Sequence, residues 1–139
     1  PIGINVFAGN NKATIVTDTG VISDNILRRI DDTTLLVLEA NYDPHMLRFG
    51  PYQSFLKQRV ASDEGHLSNE MAAQALLMMK RPDFMQVILA HRSENNNNAV
   101  LVTQTIGKML VDGGVRIGPE MKLQHGQPNE IVSIQSVER

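Results

Sequence analysis

The chain has 139 residues, 42% of them hydrophobic and 20% charged, with a formal net charge of −2. That length suits one domain rather than two, and the balance is that of a folded globular protein. The charge gives no global reason to meet nucleic acid or an anionic membrane, and no apolar stretch reaches the ~20 residues that span a bilayer.

A soluble, cytoplasmic protein with no membrane partner is therefore expected. The sequence contains no cysteine, which agrees with a reducing compartment and excludes thiolate chemistry and disulfides. Only His, Asp and Glu remain as strong metal ligands. The sequence opens on Pro1 and enters an apolar run at once, whereas natural termini more often begin polar and loosely held. A cut from a longer chain is the expectation.

Residues 2–7 and 12–17 flank Ala8-Gly-Asn-Asn11, a composition that supplies positive φ, and they read as a β-hairpin. Its second strand delivers Asp18 into the tight Thr17-Asp18-Thr19-Gly20. Ser23 or Asp24 caps a short helix to about Ile30, with Ile26, Leu27 and Ile30 on one face. A buried strand follows at 35–38. Residues 44–61 are helical in pattern but interrupted by Gly50-Pro51. Arg48, Lys57 and Arg59 on this stretch are either a solvated face or a phosphate-binding patch.

After the polar loop 62–69, Ser68 fits as N-cap of a helix to about Lys80. Met71, Ala72, Ala75, Leu76 and Met79 recur there at core-packing spacing. Pro82 ends it, and residues 84–90 form the next strand. The Asn-rich loop 92–98 leads into a helix to about Asp112, apolar at Val102, Ile106, Met109 and Leu110, and Gly113-Gly114 stops it. Residues 121–123 and 131–137 around His125-Gly-Gln-Pro-Asn129 read as a terminal hairpin. The order is β-β-α-β-α-α-β-α-β-β, without an internal repeat or linker.

Three of these strands share a layout: an apolar run ends abruptly in Asp18, in Glu39-Ala-Asn41-Tyr-Asp43, or in His91. If the strands are parallel neighbours, their carboxyl ends form one rim, where open α/β sheets place their ligand chemistry. His91 after an apolar strand is well held to ligate a metal or move protons, or it is a packed strand-end histidine. Asp18 is a metal ligand or a cap of the next turn. His66 precedes a helix N-terminus, where an anion is favoured, or is an ordinary loop residue. Glu39 and Asp43 form a carboxylate pair for acid–base work, or one of them orients a histidine. His45 and His125 read as surface residues. A glycine-rich phosphate loop, a serine nucleophile elbow and a two-histidine helix motif are all missing from the sequence.

Six segments occur in an order that resembles a known family: Val16-Thr-Asp18-Thr-Gly20, Glu39-Ala-Asn-Tyr-Asp43, Gly50-Pro-Tyr52, Leu56-Lys-Gln-Arg59, Ser62-Asp-Glu-Gly-His66-Leu-Ser-Asn69 and Leu89-Ala-His91-Arg-Ser-Glu-Asn-Asn-Asn97. Together they are similar to the metallo-β-lactamase superfamily, in its WalJ (VicX, YycJ) branch of bacterial nuclease-like hydrolases, from about Ala8 to Asp112. The resemblance implies an α/β fold, with residues 1–139 the C-terminal half of an αβ/βα sandwich: a mixed sheet with helices on one face.

It also implies two-metal hydrolysis of a phosphodiester, nuclease-like and of DNA exonuclease type, by a hydroxide bridging two divalent ions, zinc or manganese. Asp18 would be the aspartate shared by the ions, His91 the last histidine ligand, and His66 the general acid or phosphate contact. Ser68, Asn69, Glu39 and Asp43 would contact the phosphate or support these groups. The family's His-x-His-x-Asp-His motif is missing from this sequence, so the chain alone is expected to be inactive and to lack its N-terminal half. One apolar sheet face should then be uncovered, and isolated chains should pair as homodimers. The alternative is a non-catalytic half-fold module that acts in dimerisation or binding.

Overall fold

The computed structural model describes residues 2–135. Strands β1 (Ile2–Ala8), β2 (Asn11–Thr17), β3 (Leu35–Glu39), β4 (Met85–Ala90) and β5 (Met121–His125) form one sheet in that spatial order. The β1–β2 pair is antiparallel and all later neighbours are parallel, so each later connection must cross back over the sheet, and helices do this. Helix α1 (Asp24–Ile30) joins β2 to β3. Helices α2 (Pro44–Phe49), α3 (Ser54–Val60) and α4 (Asn69–Met78) join β3 to β4, and α5 (Ala99–Asp112) joins β4 to β5. Because every crossover steps one strand in the same direction, the right-handed rule puts all the helices on one face. No helix among the described residues is long and apolar enough to cross a membrane.

Alternation along the strands gives the two faces different fates. Val16, Leu36, Leu38, Val87, Leu89 and Met121 turn toward the helices and bury against Ile30, Leu76, Ile106 and Leu110. The opposite face carries an aliphatic row in register, Ile4–Ile15–Val37–Ile88. Toward β1 it is open: Ile4 is 49% exposed and Val6 56%. A mixed sheet with helices on one face is the expected architecture, and it is the one observed.

Polar residues set the helix starts. Side chains of Ser23, Asp43, Ser68 and Asn98 each accept a hydrogen bond from a backbone N–H in the first turn of α1, α2, α4 and α5, satisfying donors that would otherwise lack partners. Three expectations change. The pattern over 44–61 resolves into α2 and α3, separated at Gly50-Pro51, and α4 ends at Met78 rather than near Lys80. Among the described residues the terminal hairpin shows only its first strand, β5, and side chains bond the segment that follows. The Gln86 amide donates to the Gln135 carbonyl at 2.7 Å and accepts from its N–H at 2.9 Å, and the Gln124 amide donates to the Ser133 carbonyl at 3.0 Å. Residues 136–137 of the expected second strand lie outside the described residues.

The turn after β2 is docked by contact without clearance. Gly20 donates to the Asp63 carbonyl at 3.0 Å, and a Cβ at Gly20 would stand 1.8 Å from the Ser62 carbonyl oxygen. Gly20→Ala is predicted to destabilise the fold by about 1–3 kcal/mol, in the range of overpacked sites, measured by denaturant unfolding. A wild-type midpoint would refute this docking.

Candidate metal centre

Strands β2, β3 and β4 run side by side in parallel register, and a ligating side chain stands at or just past each carboxyl end: Asp18, Glu39 and His91. A fourth, His66, arrives from the loop before α4. That loop is tied to the end of β3 by its own backbone: Asn41 N–H donates to the Leu67 carbonyl at 2.9 Å, and Asn69 N–H to the Tyr42 carbonyl at 3.0 Å. Leu67 itself is fully buried.

Glu39 is the centre of the group and has 0% exposure. Its Oε1 is 2.7 Å from Nδ1 of His66 and 2.6 Å from Nδ1 of His91. Its Oε2 accepts from the N–H groups of Leu67 at 3.2 Å and Thr19 at 3.4 Å. An unpaired buried carboxylate costs several kcal/mol, and these donors offset that cost. An ionised carboxylate only accepts, so each imidazole must present Nδ1–H to it. A neutral ring then keeps its lone pair on Nε2. One carboxylate thereby sets the same tautomer on both histidines.

Asp18 Oδ1 lies 3.7 Å from Nδ1 of His91. Ligand atoms of Asp18, Glu39, His66 and His91 all fall within 4.8 Å of one another, and the two imidazole rings are 5.1 Å apart at 68°. Imidazole nitrogen with carboxylate oxygen is a donor set for zinc or manganese. Both oxygens of Glu39 already accept N–H groups, which leaves free lone pairs on Asp18 and on Nε2 of each histidine. Asp18 and His91 offer two of the three protein ligands that a catalytic zinc usually takes, with His66 beside them, and the set is too small for two ions.

The backbone at this rim is held in an unusual state. Asp18 has φ 56° and His91 has φ 54°, the left-handed region that non-glycine residues occupy at a cost and that clusters at functional sites. The His91 turn is secured by Asn41, whose Nδ2 donates to the His91 carbonyl at 2.7 Å, while Ser93 N–H donates to the Asn41 carbonyl at 2.8 Å.

The other anticipated residues are placed differently. Asp43 caps α2 through Met46 N–H at 2.8 Å and does not pair with Glu39. Ser68 caps α4, and Asn69 is fully buried, its amide bonded to Asn97. Both are thus engaged inside the protein, in a supporting position rather than at a phosphate. His45 is exposed and packs on Phe49 at 4.6 Å. His125 is half-buried rather than on the open surface; it pairs with Thr103 Oγ1 at 2.8 Å, and burial, then the charge of Arg92, lowers its pKa.

A cavity of about 380 Å³ opens between Asp18 and His66 and is bordered by Arg59, Val60 and Glu64. A second, of about 770 Å³, runs from His91 past Arg92 to Asn98 and Gln127. Sequence reasoning gave Glu39 a minor role and missed Asn97. A single carboxylate ending a purely apolar strand was the available signal for the first; nothing in a four-Asn run singles out the second.

The strained turn yields a testable contrast. Asp18→Ala is predicted to be less stable than Asp18→Gly by about 1 kcal/mol, because glycine enters the left-handed region freely and alanine does not. Zinc retention should fall in both. Equal unfolding free energies for the two variants would contradict the strain.

No family model matches the chain. It is 34% identical over 128 residues to Exodeoxyribonuclease YycJ of Bacillus anthracis, covering 92% of this chain and 48% of that protein. It is also 34% identical over 115 residues to Exodeoxyribonuclease WalJ of Streptococcus pneumoniae, covering 83% and 43%. The chain thus spans about half the length of the curated relatives it matches. Among solved structures, the metallo-β-lactamase fold protein YhfI from Bacillus subtilis aligns with a TM-score of 0.57 at 12% identity, over 90% of this chain and 41% of that one. By sequence the chain resembles the WalJ/YycJ-like branch of the metallo-β-lactamase superfamily over part of its relatives' length, and it shares its fold with a metallo-β-lactamase fold protein.

Proposed function

We propose that the chain supplies one part of the active site of a metal-dependent phosphodiesterase that degrades DNA from an end. The observation that carries this reading is Glu39, a buried carboxylate that holds two imidazoles by Nδ1 beside Asp18. The names of the exodeoxyribonuclease relatives support the choice of substrate. Divalent ions, zinc or manganese, would supply Lewis-acid charge and an acidified water when bound.

The protein's residues have separable tasks. Asp18 and Nε2 of His91 would hold metal. His66 is turned by Glu39 so that any second proton sits on Nε2, the nitrogen free to protonate a leaving oxygen. Arg59 and Arg92 border the cavities on either side of the cluster. Neither guanidinium has an ion pair among the described residues, so both are free to meet backbone phosphates. Because too few ligands are present for two ions, the chain by itself is inert on DNA. The remaining ligands come from a preceding segment packed on the open Ile4–Ile15 face, with which pairing of isolated chains as a homodimer would compete. That apolar face also favours a second reading: a non-catalytic module that associates through it.

Metal analysis and DNA digestion with the longest natural protein carrying this sequence separate the two. Metal loading with zinc- or manganese-dependent release of nucleotides from blocked and unblocked ends supports the nuclease; a metal-free, inert product supports the module. In the active protein, Asp18→Ala is predicted to lose metal and cleavage together. His66→Ala keeps its metal and loses about 10²–10⁴-fold in kcat. Arg59→Ala is predicted to weaken single-stranded DNA binding and to reduce the slope of log affinity against log salt by about 0.7, the value of one phosphate contact. An unchanged slope would remove Arg59 from the substrate path.

A further inference from the structure

Behind the cluster lies a buried pair of amides that the proposed chemistry does not use. Asn69, at the start of α4, is 0% exposed, and Asn97, just before α5, is 4% exposed. The Asn69 Nδ2 donates to Asn97 Oδ1 at 3.0 Å, and the Asn97 Nδ2 donates back to Asn69 Oδ1 at 2.8 Å. The second Asn97 Nδ2 proton goes to the Ala40 carbonyl at 3.1 Å, and its Oδ1 also accepts from Asn98 N–H at 3.0 Å. All the bonding capacity of the Asn97 amide is used, and turning it over would set its NH₂ against the Asn98 N–H, so its orientation is fixed.

The position of this pair in the chain is what gives it meaning. Ala40 follows Glu39, Asn69 is three residues past His66, and Asn97 lies in the loop that starts at His91. One pair of side chains therefore joins the three segments that bring the carboxylate and its two imidazoles together. Asn41 adds a second tie, from its N–H to the Leu67 carbonyl and from its side chain to the His91 carbonyl. Two apolar side chains could pack here at a similar net stability, since buried polar pairs gain little over well-packed hydrophobic ones. They would not, however, fix the distance and direction of the three segments.

Resting on the hydrolase reading above, we infer that Asn69 and Asn97 form a positioning clasp that sets the separation of His66 and His91 around Glu39, so that both rings keep Nδ1–H on the carboxylate and Nε2 free. They are positioning residues rather than catalytic ones, since their amides are engaged with each other and with Ala40 and Asn98. Outer groups of this kind typically change metal affinity or activity by about 10–100-fold.

The test uses the full chain and three readouts on wild type, Asn97→Asp and the milder Asn69→Ser. These are long-range ¹⁵N–¹H spectra of the imidazoles without metal, zinc affinity by competition with a chromophoric chelator, and thermal unfolding. Asn97→Asp keeps the shape and both acceptor contacts but cannot donate to Asn69 or Ala40. The clasp predicts that wild type shows the Nδ1–H form on both His66 and His91. In folded variants that signature should become mixed, and zinc affinity should fall by about 10–100-fold. Variants that are folded, even if less stable, yet keep the wild-type imidazole signature and zinc affinity would overturn it. So would a wild type lacking the Nδ1–H form on either ring, a result that needs no variant to fold. None of these readouts involves DNA, so a failed clasp and a failed nuclease assay are distinguishable.

Discussion

A carboxylate removed from water at the end of a central strand is the constraint on which the rest of the site depends. Glu39 has no exposed surface, and a charge in that position persists only when donors surround it. The donors come from three segments: the turn after β2, the loop before α4 with its histidine, and the histidine after β4. Satisfying one buried charge therefore draws together every element that bears on the cluster. The same bonds that stabilise the carboxylate orient the two imidazoles, so fold stability and site geometry are not separable here.

The rim shows local disorder in the rules of sequence preference where the site needs it. Asp18 and His91 occupy backbone conformations better suited to glycine, whereas Gly20, where a Cβ would collide with the Ser62 carbonyl, has no substitute. Strain at two candidate ligands, held by Asn41 and by the docked turn, is the pattern expected where geometry is preserved at some expense of stability.

The sheet is finished on one side only. The parallel crossovers bring α1, α4 and α5 into one core with Val16, Leu38 and Leu89, and the same topology leaves Ile4, Val6 and Ile15 facing out. The candidate metal cluster is small in the same sense: it is built from four side chains gathered at one rim. An uncovered aliphatic face and a short ligand set are two consequences of one architecture, in a chain that spans about half the length of its relatives.

Much of this was legible in the sequence. Apolar runs, Ser and Asn caps, and the breaks at Gly50-Pro51 and Gly113-Gly114 are local signals, and they located the strands and most helix starts because local chemistry sets them. Strands that end in Asp18, Glu39 and His91 announced a shared rim for the same reason. What the sequence by itself could not determine was rank and partnership. Glu39 looked like one carboxylate of several until burial made it the centre, Asp43 was claimed by a helix start, and Asn69 was matched with Asn97 across 28 positions. The terminal segment likewise reads as a strand, yet its backbone at Ser133 and Gln135 meets the side chains of Gln124 and Gln86. Each of these outcomes depends on which groups are taken out of water together, and only the tertiary structure decides that.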